Sequence, residues 1–465
     1  MLFRQQELWK LPLKNMFKDK ELNLILHLIA PFAFSLFLNI DVWNFILGLI
    51  ISFLIINLYL SCQYTHLSFN KVFLIGAYYY LAIFPLFYSL NLFKAETFNS
   101  WDLSLTSLVC ILSLLGYSVG QFIYDYFSGK KTDLNHPTYI FKHGIGTRKI
   151  DLFLVIFILI LNLVIILTIG EIRSFFILTT VGILLIYMNY SKLSTTSTFL
   201  LAFLVSVVSI IPMLFFSDSR SDLMKLVIII GFLYFFLNRR KVNFIQLAST
   251  GIFLFAGAIL ITIFRTNTGQ SIVDDLNVIN ESYQGIFGII LRLGDIGIAF
   301  DNLIYIVKNS SLDNLLLGST LIRPIFFLIP RSLWVEKPID TSLLIIEERY
   351  GSLSEFGGGT SQSITIVGEL FWNFSYFGVF TGLLILALII RSIDNVLCKT
   401  ESLSTIYLLT ILVPFFFIIW RGAFSSELVY TLISMIPIIF LIFLHKLFKE
   451  LPQYRNSDRK SQFVE

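Results

Sequence analysis

Charge is what this sequence has least of. Only 14% of its 465 residues are Asp, Glu, Lys or Arg, while 56% are hydrophobic. A soluble domain carries about 25% charge, so water is not the main solvent of this chain. Cysteine is scarce too: Cys62, Cys110 and Cys398 lie far apart in or beside apolar runs, which suggests neither a disulfide framework nor a cysteine metal site. The net charge of +4 is spread over short loops and leaves no nucleic-acid footprint. The HExxH pattern is absent, and the Gly-rich stretch 351–363 is not followed by Gly-Lys-Ser/Thr. So is the alternation of an outer-membrane barrel, because runs such as 150–170 and 223–237 are apolar on every face. No internal repeat of the inverted-repeat transporter kind is visible.

What is present in abundance is long apolar sequence. Runs of 17 or more residues recur, each long enough to cross a hydrocarbon core of ~30 Å as a helix. Backbone in lipid must satisfy its own hydrogen bonds, which selects helices over open sheets. The expected fold is all-α, a polytopic transmembrane helical bundle of about twelve spans. They fall near 22–38, 43–61, 72–93, 101–124, 150–170, 174–190, 196–216, 223–237, 243–264, 363–390, 404–420 and 424–445. The basic first 21 residues lead into a span without a small-residue cleavage site, so the first helix is read as retained.

Lys and Arg near span ends stay on the cytoplasmic side. With the N-terminus inside, 22 bases fall on that side, and only Lys94, Arg173, Arg220 and Arg421 lie in the short opposite loops. Both termini are therefore expected in the cytoplasm. The chain divides into a membrane region 1–264 with about nine spans, a large external loop 265–361, and a membrane region 362–465 with about three spans and a tail. The loop holds 11 of the 30 acidic residues. Within it, 286–307 reads as an amphipathic helix lying on the membrane or packed into the bundle, because Arg292, Asp295 and Asp301 interrupt its apolar face.

Candidate chemistry gathers on the external side. In FFSDSRSDLMK, Arg220 either clamps a phosphate with its planar donors or pairs with Asp218 and Asp222 to anchor a helix end beside Lys225. Arg265, Arg292, Arg323, Arg331 and Lys337 suit a polyanionic substrate; headgroup anchoring explains Arg265 equally well, and a local pair with Asp295 explains Arg292. Arg323 and Arg331 bracket IRPIFFLIPR, an apolar run with a proline near each end. GSLSEFGGGTSQS reads as a flexible connection, a gate or a backbone anion site. Glu369, about two turns into the tenth span, is costly there unless it faces a polar cavity or a partner. Arg421 and Glu427 flank the last turn, where a structural pair is expected. All five histidines, His27, His66, His136, His143 and His445, map to the cytoplasmic half, which disfavours an external imidazole base.

The run LIPRSLWVEKP at 328–338, the Gly-rich stretch after it, GELFWNFSYFG and the earlier SRSDL together resemble the Wzy-type oligosaccharide repeat-unit polymerases, the O-antigen and capsule polymerase family. The resemblance covers about 215–445 in motif order. It implies a glycosyltransferase in the bacterial cytoplasmic membrane that moves a growing glycan from undecaprenyl diphosphate onto an incoming lipid-linked repeat unit, with no nucleotide sugar, cofactor or metal. Its partners would be that lipid-linked glycan, membrane lipids and a chain-length regulator. The family's arginines map onto Arg220 and onto the set Arg265, Arg292, Arg323 and Arg331. Guanidiniums would stabilise the leaving diphosphate. A carboxylate would take the acceptor proton, Glu369 first and Glu336 second. The alternatives are a flippase or other transporter of the same lipid, a ligase-like transferase, and a scaffold.

Overall fold

The computed structural model describes residues 68–82, 84–85, 100–128, 225, 228–229, 296–327, 329, 332–351, 362–399 and 403–450, and among these every regular element is a helix. In chain order they are α1 (Phe69–Ala77), α2 (Ser100–Phe127), α3 (Ile296–Asn309), α4 (Thr341–Tyr350), α5 (Ile366–Lys399), α6 (Leu403–Ile418) and α7 (Phe424–Glu450). A π-helical turn, Tyr78–Ala82, continues α1. Helices α2, α6 and α7 coincide with the fourth, eleventh and twelfth expected spans. The first, second, fifth, sixth, seventh and ninth spans lie outside the described residues, as does nearly all of the eighth.

Two of the described helices are long and apolar enough to cross a membrane, within Trp101–Phe127 and Ile366–Leu397. The second is not one rod. Phe374 (φ −141°, ψ 17°) and Ser375 (φ 55°, ψ −149°) leave the helical region. Leu370 and Gly382 would stand about 18 Å apart on a straight helix. A Cβ on Gly382 would instead reach within 2.6 Å of the Leu370 side chain, and one on Gly378 within 2.7 Å of the Leu370 carbonyl oxygen. Residues 366–373 (α5a) therefore fold back along 376–399 (α5b). This corrects the expected tenth span of 363–390: the continuous rod starts at 376, and Glu369 belongs to a half-helix before it. The stretch 376–397 still measures about 33 Å at 1.5 Å per residue.

Lipid offers apolar side chains no reward for leaving water, so helices in it associate where small residues let backbones approach. Two Gly-x-x-x-Gly pairs do this here. Gly116 and Gly120 of α2 pack on the backbone at Phe380 and Leu384, and Gly378 and Gly382 of α5b receive α5a. Asp125 extends the first seam, accepting from Arg391 at 2.8 Å. Residue numbers rise together along it, so α2 and α5b are parallel. Helices α1 and α6 also meet, with Phe69 against Phe416 and Gly76 on the backbone at Phe417.

Helix α3 packs into the bundle rather than lying on its surface. Ala299, Phe300, Leu303, Ile304 and Ile306 are buried, Phe300 stacks on Phe84, and Lys308 reaches Asp102 on α2 at 3.0 Å. Its polar edge meets α4. There Arg349 pairs with Asp301 at 3.0 Å and bonds Asn302 Oδ1, while Asn302 donates to the Ser363 carbonyl at 2.8 Å. The approach to α5a is thereby fixed beside α3.

Candidate functional site

The site is built where α5a, the N-terminus of α4 and the α6–α7 turn meet. Thr365 caps α5a, its hydroxyl accepting from Gly368 N at 3.1 Å, and Ile366 N donates to Ile419 O at 2.9 Å, so the half-helix starts against the end of α6. Its other end is exposed by the break. Leu316 N and Leu317 N cover the freed carbonyls of Trp372 and Asn373, both at 3.1 Å. Asn373 completes the closure. Its side-chain oxygen accepts from Gly318 N at 2.9 Å, and its amide nitrogen donates to Thr320 Oγ1 and to Glu369 O, each at 2.8 Å. Gly318 is needed at that turn: its φ is +86°, and a Cβ would stand 2.9 Å from the Phe374 ring.

Half-helix geometry aims Glu369 inward. It is fully buried and accepts from Thr341 Oγ1 at 2.9 Å and from Ser425 N at 3.3 Å. Thr341 opens α4 and Ser425 lies in the first turn of α7, so one carboxylate faces two helix N-termini and the positive ends of their dipoles. Ser425 Oγ is buried beside the same carboxylate.

A second carboxylate stands beside it. Asp340 caps α4, accepting from Ser342 N at 3.0 Å and Ser342 Oγ at 2.8 Å. It also accepts from Ser426 Oγ at 2.5 Å and pairs with Arg323 Nη1 at 2.6 Å, and the same Nη1 donates to Ser426 Oγ at 2.8 Å. Burial raises the pKa of Asp340, but the Arg323 charge and the serine donors outweigh it and hold the carboxyl below its ordinary value. Asp340 is missing from the candidates the sequence suggested. The signal available was Asp-Thr-Ser ahead of LLII, a helix-start pattern.

The other expected residues divide. Arg323 and Glu369 both lie at this joint, Arg323 on Asp340 and Ser426 and Glu369 on the neighbouring Thr341 and Ser425. Lys225 reaches the first turn of α7 and pairs with Glu427 at 3.1 Å. Arg421 lies in that turn, half-buried, two residues after Ile419. Lys337 donates to the carbonyls of Phe327 at 2.9 Å and Ile329 at 2.8 Å, stitching the loop that carries Arg323. Glu336 is exposed and takes no place in the cluster. Asp218, Arg220, Asp222, Arg265, Arg292, Asp295, Arg331 and residues 352–361 lie outside the described residues.

Residues 219–451 match the family described as O-antigen polysaccharide polymerase Wzy. The chain belongs to this family. That match spans the whole joint, and as a Wzy polymerase the protein is an inner-membrane, glycosyltransferase-type enzyme that polymerises O-antigen repeat units. No curated protein and no solved structure matches the chain.

Proposed function

We propose that this protein joins undecaprenyl-diphosphate-linked oligosaccharide repeat units into O-antigen, capsular or exopolysaccharide at the outer face of the cytoplasmic membrane, and that the α4–α5a–α7 joint carries the reaction. The observation that supports this is the convergence of Arg323, Asp340, Glu369 and the hydroxyls of Thr341, Ser342, Ser425 and Ser426 at two helix N-termini beside long apolar helices. Polar groups withdrawn from water in such a setting mark function. In the reaction, the acceptor hydroxyl of one repeat unit attacks the anomeric carbon of the glycan on its lipid carrier. A new carbon–oxygen bond forms, the bond to the diphosphate breaks, and the diphosphate leaves with the electron pair. Arg323 stabilises the charge that develops on the leaving group. Glu369, held by Thr341 and Ser425, receives the acceptor's proton. Arg220, Arg265, Arg292, Arg331, Lys337 and Arg421 supply the surrounding cationic surface along the polyanionic carrier.

Sidedness rests on charge placement and is supported by helix direction. Among the twelve proposed spans, α2 and α5b are the fourth and tenth, a pair that shares parity and is parallel, as alternation through a membrane requires. Both termini are then cytoplasmic, and residues 265–361 form an external segment whose α3 and α4 fold into the bundle. A chain-length regulator is the protein partner expected for such a polymerase.

The test is to reconstitute purified protein in bilayers with the lipid-diphosphate repeat unit and resolve products by length. A ladder extending beyond one unit is expected. Movement of the lipid across the bilayer without chain growth would assign the protein to transport instead.

A further inference from the structure

We propose that Asp340 is a positioning residue for the donor site: it fixes Arg323 by one nitrogen, Nη1, so that the Nε and Nη2 edge of the guanidinium is presented as a rigid two-donor fork to one phosphate of the lipid diphosphate. The inference rests on the reading that a lipid diphosphate is the donor.

The geometry favours orientation over exchange. Asp340 is held by Ser342 N, Ser342 Oγ and Ser426 Oγ in addition to Arg323, so it cannot follow the guanidinium away without uncapping α4. Both contacts of Arg323, to Asp340 and to Ser426, use Nη1, which leaves one complete edge of the planar group for an anion. The Arg323 side chain keeps 23% of its surface exposed, against 12% for Asp340, so the arginine is the member of the pair a ligand reaches. A carboxylate that locks one end of a guanidinium removes most of its rotamer freedom before substrate arrives, and binding energy lost to ordering is reduced accordingly.

The experiment measures pyrophosphate as a competitor of chain growth in the reconstituted full-length protein, together with KM and kcat for the lipid-linked unit. Four proteins are compared: wild type, Asp340→Asn, Arg323→Ala and the double variant. Asparagine caps a helix as well as aspartate does, so Asp340→Asn keeps α4 while weakening the grip on Arg323. The expected result is a KM and a pyrophosphate inhibition constant each raised about tenfold in Asp340→Asn, a lower kcat because the same guanidinium stabilises the leaving group, and no further effect of Asp340→Asn when combined with Arg323→Ala. Arg323→Lys, which lacks the fork, should not restore binding. Equal inhibition of wild type and Asp340→Asn would overturn the proposal. So would the same fold loss from Asp340→Asn with and without Arg323→Ala, which marks a purely structural role. Lipid translocation without chain growth in wild type would instead remove the donor reading itself.

Discussion

At the scale of single residues, the proposed chemistry depends on two carboxylates with different tasks. Glu369 faces two helix N-termini and is read as the proton acceptor, so Glu369→Gln should lower chain growth by about 10²- to 10⁴-fold while the protein still inserts and accumulates, as product gels and immunoblots would show. Asp340 is ion-paired and capping, and its carboxyl is held below the ordinary aspartate value of 3.8. A depressed folded-state pKa contributes stability that is fully present above the unfolded value and is lost as pH falls through the folded one. Melting temperatures of wild type and Asp340→Asn should therefore differ most at neutral pH and converge below about pH 4. A gap that stayed constant across that range would show that the Asp340 charge does not contribute.

At the scale of elements, the decisive feature is the break at 374–375, which turns one long apolar helix into a half-helix folded on a span. Ser375 sits at φ 55° and ψ −149°, a region that favours glycine. Ser375→Gly should raise stability by about 1 kcal/mol in thermal or denaturant unfolding. Gly378→Ala should cost about 1–3 kcal/mol, because the new methyl meets the Phe374 Cβ and the Leu370 carbonyl. A gain from Ser375→Gly together with a loss from Gly378→Ala would distinguish a fold-back from a straight helix, in which helix propensity reverses both signs. The break also shows what the sequence could and could not reveal. Apolar length located α2, α6 and α7 within a few residues, since a long run that is apolar on every face buries itself as a helix. It merged α5a with α5b, because no proline marks the turn and FWNFSYFG is apolar enough to read through. Glu369 was legible as a carboxylate out of place in an apolar run, and Arg323 as one of several arginines. Their convergence on Asp340 and Ser426 was not, since it joins residues 103 positions apart through tertiary packing.

At the scale of the whole molecule, the proposed arrangement is a membrane bundle that holds a polar reaction site at its external end. Parallel pairing of α2 with α5b sets the sense of these two helices relative to each other, and charge placement sets it relative to the membrane. Exposed Asp313 and Lys399 then lie on opposite sides. A membrane-impermeant maleimide added to intact cells should label an Asp313→Cys variant and leave a Lys399→Cys variant unlabelled until the membrane is opened. Both the chemistry and its sidedness are tested most directly by chain growth in sealed, right-side-out vesicles supplied with lipid-linked repeat units in the outer leaflet alone, comparing wild type with Glu369→Gln. A product ladder from wild type and single units from the variant are predicted; a ladder of equal length from both would contradict the assignment.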